Sequence, residues 1–294
     1  MSDATQTSDR PARRRPPVPK TATVTATSVI PGGMVRLTLT PSVSVADMGL
    51  EYTDHYVKLL FPPVGASWSW NDADLDPATM RDVYPREEWP VMRTYTLRSW
   101  DAAANTLDID FVVHGDTGLA APWAASVQPG GVIGFAGPGG AWRPSPDVDR
   151  FVFAGDEAAA PAIFAALEAL PAGATAEVFL EEEDADHELE APEAAAEVTL
   201  HRVLRHGTVH GTELVRAVVE SGVAGEGRAS WFVHGVAEMI RDMRRHLFVD
   251  HGLPKKDVSI SGYWRLGMVE DEWQASKREF TEEIEAAEAA ALES

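Results

Sequence analysis

The sequence contains no cysteine. Disulfides, thiolate zinc sites, cysteine nucleophiles and cysteine-held iron–sulfur clusters are thereby excluded, so any redox chemistry must come from a bound organic cofactor. No apolar run reaches the roughly 18 to 20 residues that a membrane helix requires, and no membrane insertion is expected. Arg10, Arg13, Arg14, Arg15 and Lys20 lie among prolines, without the hydrophobic segment a signal peptide demands after them. Residues 1–20 therefore read as a disordered basic tail on a cytoplasmic protein. The Gly-x-Gly-x-x-Gly dinucleotide fingerprint is also missing. Cations are scarce, with 25 Lys and Arg against 46 Asp and Glu and a net charge of −21. That balance opposes nucleic-acid binding, whose affinity rests on neutralising phosphates, and solubility accounts for it.

What is present divides in two. A length of 294 residues with 45% hydrophobic content is enough for about two domains with buried cores. Residues 22–30 and 34–40 alternate around Pro31-Gly32-Gly33 and read as a β-hairpin. Strands over 55–61, 93–99, 106–114 and 132–136 bring the count to six, and Pro- and Gly-rich turns between them predict an antiparallel barrel over 21–143. Residues 62–90 form a polar, tryptophan-containing insertion, either a lid or a long loop. From 144 to 272 the pattern becomes alternating strand and helix: strands at 150–154, 175–180, 198–204, 230–233 and 258–261, helices at 158–170, 213–221 (capped by Thr212) and 236–251. Such alternation predicts a mainly parallel, doubly wound α/β sheet, which takes ligands beyond the carboxyl ends of its strands. Gly155 and His234-Gly235 fall at such ends. A long acidic helix is expected over 273–294, its partner surface open between the ligand cleft and a dimer contact.

One strand carries chemistry of its own. In Met92-Arg93-Thr94-Tyr95-Thr96, Arg93 and Tyr95 share one face and the threonines the other. A guanidinium forks onto a pyrophosphate, a phenol lies against a ribityl chain or ring edge, and a hydroxyl bonds a ring nitrogen. Lys58 stands on a barrel strand among apolar neighbours, where lysine is unusual. The pair His206 and His210 has metal-like spacing, but Gly207 breaks the helix that would align them, so a metal site is not expected.

The chain resembles the siderophore-interacting protein family, flavin-dependent ferric-siderophore reductases of ferredoxin-reductase-like plan. The resemblance runs from about Thr21 to Glu272. It rests on His55-Tyr56-Val57-Lys58-Leu59-Leu60-Phe61, Arg93-Thr94-Tyr95-Thr96, Asp110-Phe111-Val112-Val113-His114-Gly115 with Gly118 and Trp123, Gly137-Pro138-Gly139-Gly140, Gly155-Asp156-Glu157 with Pro161, and Gly262-Tyr263-Trp264-Arg265 with Gly267. It implies an α/β two-domain protein, a six-stranded FAD-binding barrel followed by an NAD(P)H-binding-like domain. Arg93, Thr94, Tyr95 and Thr96 would hold FAD, with Asp110, Val112, Val113, His114, Gly118, Leu119, Ala120 and Ala121 lining its ribityl chain and pyrophosphate. Gly155, Asp156, Glu157, His234, Gly235 and Trp264 would form the nicotinamide side. Ala158 stands where the family usually has threonine, and Val236 where a glutamate is commoner, which weakens the case for a particular nicotinamide. Lys58, Arg265, Lys255 and Lys256 would receive an anionic ferric siderophore, although Met268 occupies a place where another basic residue is expected. The implied reaction passes electrons from NADH or NADPH through FAD to Fe(III), with no protein group required as catalytic acid or base. A general flavin reductase of the same plan and a non-catalytic flavin or siderophore binder remain the alternatives.

Overall fold

A computed structural model describes residues 19–72, 75, 76, 78–113 and 118–293. The first domain holds seven antiparallel strands: β1 (Lys20–Ile30), β2 (Met34–Pro41), β3 (Tyr56–Phe61), β4 (Val91–Thr96), β5 (Ser99–Asp101), β6 (Thr106–Val112) and β7 (Val132–Gly139). They lie in the order β4-β3-β7-β1-β2-β6-β5. Six strands were expected; the seventh arises because the run 93–99 divides. Leu97 N–H donates to His55 O beside β3 (2.7 Å) and Arg98 N–H to Asp108 O on β6 (2.8 Å). Two successive amides thus join opposite sides of the sheet and curl it into a barrel around buried Leu37, Leu59, Leu97, Ile109, Phe111 and Phe135.

The insertion 62–90 carries the short helix α1 (Met80–Val83) and is fixed by its tryptophans. Trp70 donates to Leu60 O at 2.6 Å and covers Gly134, where a Cβ would come within 2.2 Å of its ring. Trp68 meets Trp70 edge-on at 5.1 Å and donates to Glu88 O. The buried indoles make the segment a packed buttress of the barrel. A short helix, α2 (Ala120–Ser126), precedes β7.

The second domain is a five-stranded parallel sheet of β8 (Arg150–Gly155), β9 (Thr175–Glu182), β10 (Glu197–Leu204), β11 (Ser230–Val236) and β12 (Val258–Trp264), ordered β10-β9-β8-β11-β12. Alternation places Phe151 and Phe153 under α3 (Ala160–Glu168), and Val152 and Ala154 under α4 (Thr212–Ser221) and α5 (Ala237–Arg244). Both faces are covered, as a parallel sheet requires. The strand order reverses between β8 and β11, which are parallel neighbours, and this is the topological switch point.

Three helix expectations are corrected. Thr212 is the first residue of α4 and not its cap; Gly211 precedes it at φ 84°, with its N–H on the Glu181 carboxylate. The run 236–251 is α5 followed by a wider π turn over Arg245–Asp250. The terminal helix α6 starts at Glu270, three residues before the expected position, and runs to Leu292. It packs on the rest of this chain: Ile284 enters the second core, and buried Arg244 of α5 binds buried Glu288. Arg98 and Glu168 tie the barrel to α3 through a bidentate pair at 2.6 and 3.0 Å.

Candidate functional site

β4 is an edge strand that pairs only with β3, with Lys58 opposite Thr94 and Tyr56 opposite Thr96. Thr94 N–H turns away from β3 and donates to Glu270 Oε2 at 2.7 Å, and Thr94 Oγ donates to the other oxygen of that carboxylate. Main-chain groups alternate sides along a strand, so Met92, Thr94 and Thr96 present theirs outward. Arg93 Nη1 donates to the outward carbonyl of Met92 (2.6 Å) and lies 3.6 Å from Asp271 Oδ2. Directly opposed residues share a face, which places Lys58 beside Thr94. Tyr95 packs its ring on Phe111 at 4.3 Å, and burial raises its phenol above the ordinary range. The outer edge of β4 is therefore a row of amide and hydroxyl donors next to a guanidinium. It already holds an oxygen acceptor, the Glu270 carboxylate. Such a set fits the nitrogen and oxygen acceptors of a flavin edge and the pyrophosphate beyond it.

The second wall is only partly as expected. Asp110 does not offer its carboxylate to a ligand: Arg36, its cross-strand partner, takes both oxygens at 2.6 and 2.8 Å, and Asp110 is buried. Val112 packs against the second domain's core, and Val113 N–H points to Gly33 O at 3.4 Å. His114 lies outside the described residues. Gly118, at φ 91° with open space around it, and Leu119 lead into α2, whose first residues are Ala120 and Ala121. Trp123 is a core anchor, edge-on to Phe61 and Phe111.

At the switch point, the predicted residues come together but bind one another. Asp156 Oδ1 accepts from Ala158 N–H (3.0 Å) and Ala159 N–H (3.2 Å), and Oδ2 accepts from Val236 N–H and Trp264 Nε1–H (2.8 Å each). One carboxylate thus ties the β8–α3 turn to the ends of β11 and β12. Burial, helped by the charge of Glu157, pushes its pKa up to about 7, while the Trp264 and Val236 donors pull it down. Gly155 and Gly235 are required sterically. A Cβ on Gly155 would stand 2.8 Å from His234 O, and one on Gly235, at φ 143°, 2.8 Å from the Asp156 carboxyl. Glu157 lies before α3, which begins at Ala160. It forms a buried bidentate pair with Arg205 at 2.7 and 2.8 Å, with Glu181 3.7 Å from the same guanidinium. His234 is buried between Phe232 and Tyr263, meets Ser259 Oγ through Nε2 at 3.0 Å, and is pushed down to about 3 by burial and by Lys277, so it is neutral. The buried carboxylates of Asp156 and Glu157 are therefore spent on partners within this end of the sheet, while Trp264, half-buried, gives its indole N–H to Asp156.

Among the proposed cations, Lys58 keeps its place beside Thr94. Arg265 lies over the rings of Phe280 (5.0 Å) and Trp273 (5.8 Å) of α6, 3.7 Å from Glu238. Lys255 is bound to Glu288 at 3.3 Å and stands over Phe248, away from β4, and Lys256 is exposed beside it. Sequence reasoning missed Glu270, Asp271 and Lys277, all on α6, and Arg205, the partner of Glu157. The acidic triplet Glu270-Asp271-Glu272 was the available signal, since acids gather in first helical turns. His210 meets Trp264 edge-on at 4.9 Å, and no group of three or more metal-binding side chains occurs among the described residues.

An antiparallel barrel with a donor-lined edge strand, followed by a doubly wound parallel sheet, defines a flavoprotein of ferredoxin-reductase-like plan. Residues 23–142 match the siderophore-interacting FAD-binding domain and residues 148–267 match the siderophore-interacting protein domain. The chain belongs to the siderophore-interacting protein family. It is 36% identical over 269 residues to an uncharacterized protein of Mycobacterium tuberculosis (88% of this chain, 94% of the relative). It is 33% identical over 198 residues to the ferric vibriobactin reductase of Vibrio cholerae (66% of this chain, 72% of the relative). The solved siderophore-interacting protein SipS of Aeromonas hydrophila superposes with a TM-score of 0.72 at 26% identity, over 90% of this chain and 99% of that one.

Proposed function

We propose that this protein is an FAD-dependent ferric-siderophore reductase of the cytoplasm, drawing electrons from NADH or NADPH and releasing Fe(II) from the chelate. The observation that carries the reading is the outer edge of β4, where the amide and hydroxyl of Thr94 hold a carboxylate beside the Arg93 guanidinium. Family membership and the vibriobactin reductase support it. Bound FAD supplies the exchange between a two-electron donor and a one-electron acceptor. Arg93 would hold the pyrophosphate, and Thr94 and Thr96 would hold the ring system through the strand edge, with main-chain groups from Gly118 to Ala121 as further candidates for the cofactor's polar groups. Lys58, on the face of Thr94, attracts the anionic chelate, and Arg265 adds to the field from β12's end. Iron leaves because hard-oxygen chelators hold Fe(II) far less tightly than Fe(III). No residue here must donate or accept a proton for that transfer.

The test is an absorbance spectrum of the purified protein, then anaerobic titration with NADH and NADPH, then addition of ferric chelates. The reading requires a flavin spectrum, bleaching by one nicotinamide, and reoxidation by the chelate. A flavin that neither nicotinamide bleaches would remove the donor assignment. Lys58→Ala should raise KM for a ferric chelate severalfold at constant flavin content; an unchanged KM returns Lys58 to a structural role.

A further inference from the structure

Between β12 and α6 lies a cavity of about 130 Å³. Ile260, Phe280 and Ile284 make its walls apolar, and Arg244, Trp273 and Lys277 bring polar groups to it. Arg244 is already matched, since Glu288 binds it in a buried pair. The other two are not. Trp273 is 1% exposed, and its Nε1–H is buried with no hydrogen-bond partner. A Cβ on Gly262 would come within 3.0 Å of Trp273 Cζ2, so the indole edge that bears Nε1 faces the β12 wall of the cavity. Buried N–H groups in folded proteins are almost always paired, and an unpaired one at a cavity points to a missing acceptor.

Lys277 supplies the charge. It is half-buried, with Nζ 5.9 Å from the Trp273 ring. The carboxylate that acts on it is Glu270, whose two oxygens are committed to Thr94, while Lys58 repels it. Among the described residues, Lys277 forms no ion pair within 4 Å. Arg265 also lies over the rings of Trp273 and Phe280, 3.7 Å from Glu238. Within a chain of net charge −21, an ammonium with no carboxylate in ion-pair contact beside an orphaned indole donor is complementary to an anion with oxygen acceptors.

We propose that this cavity binds a small oxyanion, of phosphate or carboxylate class, held by the Lys277 ammonium and the Trp273 indole N–H. The volume, at roughly 30 Å³ per water, admits several waters or one such anion. The site needs no flavin, and it stands whether or not the reductase reading does.

The test uses the full chain with ¹⁵N-labelled tryptophan. Nine indole signals are expected from nine tryptophans, with that of Trp273 assigned by its loss in Trp273→Phe. Inorganic phosphate and, separately, acetate are titrated at constant ionic strength set with sodium chloride. The expected result is a saturable shift of the Trp273 signal alone with at least one of the two, weakened at least tenfold in Lys277→Met and retained in Lys277→Arg. The other indole signals report that each variant is folded. Phosphate alone, acetate alone or both moving the signal each support the site and say which oxyanion it prefers. A Trp273 signal that moves no more than the other eight, or moves equally in Lys277→Met, overturns the proposal.

Discussion

Arg205 is where the structure makes its sharpest energetic demand. Its guanidinium lies 2.7 and 2.8 Å from the two oxygens of Glu157 and 3.7 Å from Glu181, and the three side chains are 5%, 6% and 0% exposed. Arg205→Met keeps much of the side chain's bulk but leaves two buried carboxylates without their cation. Breaking a buried pair in this way costs about 3–5 kcal/mol, a large share of the 5–15 kcal/mol that ordinarily separates folded from unfolded states. With a urea dependence near 3 kcal/mol per molar, the unfolding midpoint should fall by about 1 to 2 M. Tryptophan fluorescence can follow the transition, because Trp231 is buried in the same core. The effect has a predicted pH dependence. Burial already raises Glu181 above the usual carboxylate range, against the pull of Arg205, and loss of Arg205 raises it further. A carboxyl raised on folding is destabilising above its folded pKa and relieved as pH falls through it. The deficit of Arg205→Met should therefore be larger at pH 8 than at pH 5. Glu157→Gln together with Arg205→Met should recover most of the loss, since a neutral pair leaves one fewer uncompensated charge. A deficit under about 1 kcal/mol at pH 8, or one independent of pH, would refute the claim that this pair locks the turn after β8.

Arg93→Ala should yield a folded protein, by circular dichroism, that has lost at least tenfold in FAD affinity; full flavin content after purification would sink the β4 assignment. Asp156→Asn turns an amide NH₂ toward a cluster of N–H donors, so about 1–3 kcal/mol of stability should be lost, as read from thermal or urea unfolding. Because the folded pKa of Asp156 is raised to about 7, the wild type takes up a proton as pH falls from 8 to 6 that the unfolded chain does not. Its stability should gain from this group over that window, and Asp156→Asn should remove the gain. Trp70→Ala should cost about 3–5 kcal/mol, because a buried ring over Gly134 and its bond to Leu60 O are both lost; a near-neutral result would restore a mobile lid.

Much of the architecture was readable along the chain because it is written in local periodicity. The hairpin around Pro31-Gly32-Gly33 and the apolar strands at 150–154 and 230–233 appear where alternation and turn residues put them. The division of 93–99 was not readable, because Leu97 and Arg98 have strand-like neighbours on both sides. Only their bonds to His55 and Asp108, distant in sequence, end β4. The insertion 62–90 had no repeating pattern to read, since its order comes from Trp70 bonded to Leu60 on β3 and from Trp68 bonded to Glu88 at the insertion's other end.

The site divides along the same line. The sequence alone determined that no thiolate-held centre can carry redox chemistry, that a barrel precedes a parallel sheet, and that Arg93 to Thr96 lie on a strand with alternating faces. Tertiary structure decided which charges remain available to a ligand. Asp110 is matched by Arg36, Glu157 by Arg205 across 48 residues, and Lys255 by Glu288. Thr94, 176 residues from Glu270, faces the first turn of α6. A side chain's type is local, but whether its charge is spent inward or offered outward depends on partners that only folding brings within reach.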